Sequence, residues 1–225
     1  MTTTKRALVI GANRGLGLGL VQQLNQEGWQ VAATTRGESP VALKQAASTL
    51  YALEMNDLGS IEALAGQLAG QRFDLVFVNA GVMGPTRDLD AATAEDIGQL
   101  FTTNVLSPIR LAQRLVSLVQ ENTGVLAFMS STLGTVASPD APEIPLYKAS
   151  KAALNSMVNT FASTLPQPRP TILCMHPGWV RTDMGGPNAE IDVVTSAQGM
   201  VRQVNEFAGR GGLHFIDYRG RQLPW

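Results

Sequence analysis

Tyr147 and Lys151 lie one helical turn apart in the segment Tyr147-Lys148-Ala149-Ser150-Lys151, a spacing that puts both side chains on one face of a helix. A free tyrosine loses its proton only near pH ~10. A cation about 4 Å away is worth up to ~4 kcal/mol at an effective dielectric of about 20. Pro145 predicts that Tyr147 sits in the first helical turn, where the helix dipole favours phenolate. We therefore expect a phenol with a lowered pKa that exchanges a proton with a substrate oxygen.

A glycine-rich turn follows the first apolar run and opens a helical pattern. It reads Gly11-Ala12-Asn13-Arg14-Gly15-Leu16-Gly17. Glycines let a backbone turn sharply and approach a pyrophosphate, and a helix N-terminus offers free N–H groups and a positive dipole end to the anion. Three glycines also occur in ordinary turns, but their position after a strand and before a helix favours dinucleotide binding.

The end of the second predicted strand bears on the choice of cofactor. An NAD site commonly has an acidic residue there for the ribose 2′-hydroxyl, whereas this chain has Thr35 followed by Arg36. Arg36 could pair with a 2′-phosphate, and Arg14 could clamp it from the glycine turn. Two merely exposed arginines are the alternative. The pattern favours NADP(H) over NAD(H).

Short β-branched runs alternate with longer helical patterns, as expected for βαβ units. The predicted strands are Ala7–Ile10, Gln30–Thr35, Thr49–Met55, Leu75–Asn79, Val125–Ser130, Thr171–His176 and Leu213–Asp217. Their continuous apolar character predicts strands covered on both faces. We expect a Rossmann-type α/β fold, doubly wound, with a mostly parallel seven-stranded sheet and helices on both faces, in a single domain over residues 1–225.

Several residues mark the ends of the predicted helices. Gly28 closes a helix over Leu16–Glu27, and Asp57 is expected to cap a helix over Ile61–Ala69. Thr93 with Asp96 resembles a capping box.

Composition narrows the class of protein. The chain has 225 residues, a formal net charge of -1 and 16% charged residues, so we expect no long-range attraction to nucleic acid or to an anionic membrane. With no signal-peptide pattern and no apolar stretch of membrane-spanning length, we expect a cytoplasmic protein. The chain has one cysteine, Cys174, so it cannot form an intrachain disulfide. With only two histidines besides, we expect no metal site.

The ordered combination of these features resembles the short-chain dehydrogenase/reductase family over essentially the full length. The matching motifs are Tyr147 with Lys151, Asn79-Ala80-Gly81, Asn104, Pro177-Gly178 and Thr182. Within the family, the segment from Pro177 to Met184 and the C-terminal Leu223-Pro224-Trp225 look most similar to C-factor-like and sniffer-type carbonyl reductases.

The resemblance implies a function for each matched position. Catalytic roles fall to Asn104, Ser131, Tyr147 and Lys151, with the neighbouring Ser130 structural. The implied cofactor-binding set is Gly11, Asn13, Arg14, Gly15, Leu16, Gly17, Arg36, Asp57, Leu58, Asn79, Ala80, Gly81, Tyr147, Lys151, Pro177, Gly178, Val180 and Thr182. The family usually has Thr where this chain has Ile10, so we expect a turn-stabilising hydrogen bond to be missing.

The implied activity is an NADPH-dependent reductase or dehydrogenase acting on a small carbonyl or alcohol. A dinucleotide-binding regulatory or signalling protein is the alternative. Epimerases and dehydratases share Y-x-x-x-K but are longer, which favours the reductase.

Other residues admit two interpretations. We expect His176 to be hydrogen-bonded within its strand end. The apolar positions Leu154, Met157, Val158 and Phe161 suit a homodimer interface and core packing equally. Met83, Leu133, Trp179 and Met184 flank the expected pocket and are either lining or core residues.

Overall fold

A computed structural model describes residues 4–84 and 88–225 of the chain. Its centre is a seven-stranded sheet in the order β3-β2-β1-β4-β5-β6-β7, in which each neighbouring pair is parallel. The strands are β1 (Arg6–Ile10), β2 (Gln30–Thr35), β3 (Thr49–Ala52), β4 (Leu75–Val78), β5 (Val125–Met129), β6 (Thr171–His176) and β7 (Leu213–Asp217).

Helices connect these strands and cover both faces of the sheet. They are α1 (Gly15–Gln26), α2 (Val41–Ala46), α3 (Leu58–Gln67), α4 (Ala94–Phe101), α5 (Ser107–Leu115), α6 (Pro145–Thr164) and α7 (Val193–Phe207). Apolar residues of α1, α2 and α7 pack on one face, and those of α3, α5 and α6 pack on the other. The predicted doubly wound α/β fold is confirmed.

Strand order places two of the predicted motifs together. β1 lies between β2 and β4, so the chain changes direction across the sheet at the carboxyl ends of β1 and β4. In open α/β sheets, ligands bind in the crevice at such a switch point. The glycine turn follows β1, and Asn79-Ala80-Gly81 follows β4, which places both motifs at this crevice.

The sequence located the strands well and some ends less well. β2, β6 and β7 have the predicted bounds, whereas β3 ends at Ala52 rather than Met55. β4 ends at Val78 and β5 at Met129, each one residue early, because the residues that follow leave the sheet to form the site. The predicted helices Leu16–Glu27 and Ile61–Ala69 both begin and end earlier than expected, as α1 spans Gly15–Gln26 and α3 spans Leu58–Gln67.

The predicted caps are present. The Asp57 carboxylate accepts hydrogen bonds from the backbone N–H groups of Gly59 (2.7 Å) and Ser60 (3.3 Å) at the start of α3. Thr93 and Asp96 form a reciprocal capping box at the start of α4. Both devices satisfy N–H groups that a helix leaves free.

The apolar positions of α6 belong largely to the core. Leu154, Val158 and Phe161 are buried beneath the sheet, while Met157 is 36% exposed. Core packing therefore accounts for three of the four positions considered for a dimer interface. Among residues 4–84 and 88–225, none of the helices combines the length and hydropathy that a membrane span requires.

Candidate active site

The glycine turn between β1 and α1 fits closely against the loop after β4. Gly11 and Gly15 have φ values of 81° and 53°, a backbone region that favours glycine. A Cβ at Gly17 would lie 2.6 Å from Asn79 Nδ2 and would also clash with the Gly11 carbonyl. Asn79 Nδ2 donates to that carbonyl at 2.7 Å, and a Cβ at Gly11 would lie 2.7 Å from Ala80 Cβ. The turn therefore depends on glycine where the two motifs meet.

A threonine on β2 fixes the same turn from the other side. Its hydroxyl, Thr34 Oγ1, accepts a hydrogen bond from Gly11 N at 3.0 Å, and its carbonyl accepts one from Ala12 N at 3.0 Å. Ile10 has no hydroxyl to make the family's hydrogen bond, and Thr34 holds the turn through these two other bonds.

The N-terminus of α1 is open to an anion. No side chain caps it, and its first turn contains no acidic residue. The exposed residues Asn13 and Arg14 precede it, and the partly exposed Leu16 follows. Free N–H groups and the positive end of the helix dipole suit a pyrophosphate, so the residues present fit a dinucleotide.

The two arginines proposed for a 2′-phosphate differ in their surroundings. Arg36 is exposed just beyond the end of β2, and within the described part of the chain no hydrogen bond or ion pair engages its side chain. Arg14 is engaged already, since its Nη1 lies 2.6 Å from Asp183 Oδ2. Arg36 is therefore the more available cation.

Asn104 joins the loop after β4 to α6. It lies in a π-helical turn, Thr102–Leu106, between α4 and α5, an irregularity frequent at functional sites. Its Oδ1 accepts from Val82 N and its Nδ2 donates to Val82 O, both at 2.8 Å, while Nδ2 also donates to Ser150 Oγ at 3.0 Å. The side chain thus positions backbone, and the implied link from Asn104 to Lys151 stays a prediction.

Two serines follow β5 and have different environments. Ser130 Oγ donates to Asn155 Oδ1 at 2.6 Å in the interior, which agrees with a structural role. Ser131 Oγ accepts from Leu133 N at 3.1 Å and caps the 3-10 turn Thr132–Gly134. Ser131 also lies near enough to Tyr147 to lower the pKa of its phenol, so these two predicted catalytic residues are brought together.

Tyr147 and Lys151 share a helix face as predicted. Pro145 begins α6 and places Tyr147 in its first turn. Lys151 is 3% exposed, and its Nζ lies 5.6 Å from the centroid of the Tyr147 ring. The same Nζ donates to the carbonyl of Met129, the last residue of β5, at 2.9 Å.

The electrostatics of this pair differ from the expectation. Burial raises the pKa of Tyr147 from 10.0 to about 12, and the hydrogen bond with Ser131 offsets part of that rise. Burial also lowers the pKa of Lys151 from 10.5 to about 8. The expectation of a lowered tyrosine pKa is therefore wrong for the protein alone, because the cost of removing a phenolate from water outweighs the effect of Ser131.

The loop after β6 meets the glycine turn. Gly178 has a φ of 87° after Pro177, and Val180 is buried. Thr182 Oγ1 accepts from Gly185 N at 3.1 Å, and the Thr182 methyl lies 3.6 Å from the position of a Cβ on Gly15. Two distant motifs of the predicted cofactor site thus face each other.

The third predicted contact region lies at the start of α3. Asp57 and Leu58 are both exposed there, and the Asp57 carboxylate is engaged in capping the helix. Their contact with adenine stays a prediction.

His176 is not satisfied as expected. Its Nδ1 is buried and has no hydrogen-bond partner within the part of the chain that the structure describes. Asp217, its neighbour on β7, accepts instead from Arg219 N, Arg221 N and Arg221 Nε. Burial lowers the pKa of His176 from 6.5 to about 4, with Asp217 opposing and Arg221 adding to that change. The imidazole is therefore neutral near pH 7.

The apolar residues near the expected pocket are accessible to different degrees. Met83 and Leu133 are partly buried, while Trp179 and Met184 are 51% and 42% exposed. Trp179 Nε1 donates to Gly185 O at 2.8 Å, which fixes the indole at the loop. Within the described residues, no group of acidic, histidine and cysteine side chains could hold a metal ion.

Comparison with known proteins places this arrangement in a family. The short chain dehydrogenase family matches residues 5–192. The chain belongs to the short-chain dehydrogenase family. Carbonyl reductase from Pseudomonas aeruginosa, solved in complex with NADP, is 39% identical over 99% of this chain and 100% of its own, with a TM-score of 0.90.

Two further relatives agree with the carbonyl reductase resemblance. The carbonyl reductase Sniffer of D. melanogaster is 27% identical over 99% of this chain and 100% of its own, with a TM-score of 0.87. C-signal from Myxococcus xanthus is 34% identical over 167 residues, which cover 73% of this chain and 100% of that protein.

This short-chain dehydrogenase also uses site residues that the sequence did not single out. Thr34 fixes the glycine turn, the Val82 backbone holds Asn104, and the Met129 carbonyl receives Lys151. The last two contacts use backbone atoms, which any residue type supplies. Thr34 carries a weak signal, because it is one of two threonines that end β2 after three apolar residues.

Proposed function

We propose that this short-chain dehydrogenase is an NADPH-dependent carbonyl reductase in which Tyr147 is the proton donor. The observation that carries the proposal is the shared helix face of Tyr147 and Lys151, with Lys151 Nζ 5.6 Å from the centroid of the Tyr147 ring. Ser131 lies near enough to lower the pKa of the same phenol. A Cβ on Gly81, in the loop after β4, would lie 3.4 Å from Lys151 Nζ. The proton-transfer residues therefore adjoin the crevice that suits a dinucleotide.

The choice of NADP(H) rests on charge at the end of β2. Arg36 is exposed and unengaged there, without an acidic residue at the strand end, and a guanidinium suits a 2′-phosphate. The glycine turn and the N-terminus of α1 would hold the pyrophosphate, and Thr182 lies where it would meet the nicotinamide end. The similar Pseudomonas enzyme was solved with NADP, which supports this choice. When bound, the cofactor supplies the hydride.

Tyr147 and Ser131 supply the proton and the stabilising hydrogen bond. With a pKa raised to about 12 by burial, Tyr147 carries its proton at neutral pH, as a general acid for reduction requires. Because Ser131 Oγ accepts from Leu133 N, its single proton is free to be donated. When a substrate binds, that proton can turn from Tyr147 to the substrate oxygen on which negative charge develops. The pair is thus prepared for carbonyl reduction more than for alcohol oxidation.

Lys151 and Asn104 complete the proposed set. Lys151 Nζ, held at the Met129 carbonyl, keeps further N–H donors for a ribose hydroxyl. Asn104 keeps the loop after β4 against α6 and so fixes the distance between the cofactor crevice and the proton donor.

The deciding experiment follows NADPH oxidation with a panel of aldehydes, ketones, quinones and diketones. Tyr147→Phe keeps the ring and removes the acid, so it should abolish turnover while NADPH binding, measured by fluorescence, stays within about twofold. Carbonyl reduction retained by Tyr147→Phe would disprove the assigned proton donor.

The similarity to C-signal supports a second candidate, a dinucleotide-binding signalling protein with little catalysis. Single-turnover hydride transfer separates the two functions. A wild-type protein that binds NADPH stoichiometrically but transfers no hydride to any of the carbonyls would support the second candidate.

A further inference from the structure

A buried asparagine extends the column of polar side chains on α6. Tyr147, Lys151 and Asn155 follow one another at intervals of one helical turn, so they share a face. Asn155 is 3% exposed and lies beyond Lys151 from the proposed proton donor. Tyr147 and Lys151 have roles in the proposed reaction, and Asn155 has none so far.

Asn155 holds the segment that contains Ser131 from both sides. Before Ser131, the hydroxyl of Ser130 donates to Asn155 Oδ1 at 2.6 Å. After Ser131, Gly134 packs so closely on α6 that a Cβ there would lie 2.8 Å from Asn155 Nδ2 and 3.0 Å from the Lys151 carbonyl. Ser131 therefore lies between two residues, Ser130 and Gly134, that both contact the Asn155 side chain.

Stability does not explain why the buried residue at position 155 is an asparagine. Asn155 Nδ2 is buried, and no residue among 4–84 and 88–225 accepts a hydrogen bond from it. An unsatisfied buried donor destabilises the folded state. An apolar residue of similar volume would occupy the same buried position without that penalty. The polar side chain therefore has a use other than packing.

We propose that Asn155 is a positioning residue that holds Ser131 in register with Tyr147 for proton transfer. This proposal rests on the proposed reductase function. The Ser130–Asn155 bond fixes the chain where β5 ends, and the contact with Gly134 fixes the 3-10 turn that follows. Without them, Ser131 Oγ keeps its backbone partner Leu133 but loses its placement relative to α6.

The test compares Asn155→Leu, Ser130→Ala and the double variant with the wild type. Asn155→Leu should lower kcat for carbonyl reduction about 10- to 100-fold, because a displacement of about 1 Å is enough to cost that much. The KM for NADPH should change by less than about twofold, since the glycine turn is untouched. Ser156→Ala, on the neighbouring exposed position of α6, is the matched control and should leave kcat unchanged.

The double variant separates positioning from stability. Ser130→Ala alone leaves the side-chain oxygen of Asn155, Oδ1, without its hydrogen bond. Ser130→Ala with Asn155→Leu removes both polar partners, a change that is often nearly neutral for stability. We expect the Tm of the double variant to recover toward that of the wild type while kcat stays low. Recovery of kcat together with Tm would show a merely structural role and overturn the proposal.

A pH profile gives an independent readout. Ser131 lowers the pKa of Tyr147, so its displacement should move the rise of alcohol oxidation with pH to higher pH in Asn155→Leu. Gly134→Ala, which pushes on the same contact, should show the same shift. Wild-type turnover is measured first, because its absence would disprove the proposed reductase function. An undiminished kcat in Asn155→Leu would disprove only the positioning role of Asn155.

Discussion

Arg14 in the glycine turn and Asp183 in the loop after β6 form an ion pair, with 2.6 Å between Nη1 and Oδ2. Both side chains are largely exposed, at 77% and 78%, so the pair contributes little to stability. The ion pair is important because it links the glycine turn to the loop after β6, and these two segments form opposite walls of the cofactor crevice. If Arg14 also binds the 2′-phosphate, Asp183 competes with the cofactor for the same guanidinium.

Replacing Asp183 with Asn should therefore tighten NADPH binding. An exposed ion pair is worth about 0.2–1 kcal/mol, so the Kd for NADPH should fall about 1.5- to 5-fold, with a smaller change for NADH. Titration of protein fluorescence at low salt measures both. Glu190→Gln removes the same charge from the same loop without touching Arg14 and serves as the control. A weaker NADPH complex in Asp183→Asn would mean that Asp183 orients Arg14 and does not compete.

Arg36 should decide between the two nicotinamide cofactors. Arg36→Asp replaces a cation with an anion where a 2′-phosphate would lie, so charge repulsion should raise the KM for NADPH by 10-fold or more. The new carboxylate could accept a hydrogen bond from a ribose 2′-hydroxyl and should lower the KM for NADH. The ratio of kcat/KM values for the two cofactors measures the change. An unaltered ratio would remove Arg36 from the cofactor site.

Gly17→Ala probes the junction of the glycine turn and the loop after β4. The added Cβ would fall 2.6 Å from Asn79 Nδ2 and against the Gly11 carbonyl, which forces the two loops apart. We expect loss of dinucleotide binding and a destabilisation of about 1–3 kcal/mol. Gly66→Ala, on an open face of α3 where a Cβ would meet nothing within 4 Å, should leave both properties intact. Urea unfolding and NADPH titration provide the measurements, and normal binding by Gly17→Ala would contradict the assigned geometry.

Lys151 should lower stability while it supports catalysis. Its pKa is lowered from 10.5 to about 8 by burial, so the unfolded chain holds the proton more tightly than the folded protein. The penalty, at most about 3 kcal/mol, is fully present below pH 8 and fades as pH rises toward 10.5. Lys151→Met should thus be inactive yet more stable at pH 7, by about 1–2 kcal/mol once the lost bond to Met129 is counted.

Thermal unfolding at pH 7 and pH 10 tests this account. The gain in Tm of Lys151→Met over the wild type should shrink markedly at pH 10, where the wild-type lysine no longer carries a charge into the interior. Lys148→Met, on the preceding turn and partly exposed, should show no such pH dependence. A lower Tm for Lys151→Met at pH 7 would show that the bond to Met129 outweighs the cost of burial.

The positions of the strands along the chain were predictable because each strand is a short, mainly apolar run. Gln30–Thr35, Thr171–His176 and Leu213–Asp217 have the predicted bounds. The one-turn spacing likewise predicted that Tyr147 and Lys151 share a face. These features depend on local patterns, which a sequence records directly.

The errors concern interactions between segments that are distant in sequence. The pKa of Tyr147 depends on how much water the folded loops exclude. No described residue hydrogen-bonds His176 Nδ1, while its neighbour Asp217 accepts from Arg219 and Arg221. Thr34 holds the glycine turn by a hydrogen bond that the sequence did not indicate. Neither spacing nor composition records which of several neighbours wins such a competition.

The wholly parallel sheet has a consequence for how the chain acquires its structure. Parallel neighbours cannot form as local hairpins, and β1 pairs with β4 through residues as distant as Ala7 and Leu75. Such non-local pairing slows folding. During synthesis, β6 keeps an open edge until Leu213–Asp217 has left the ribosome. The nascent chain exposes an unpaired strand edge during that interval and should depend on chaperones to reach the native state.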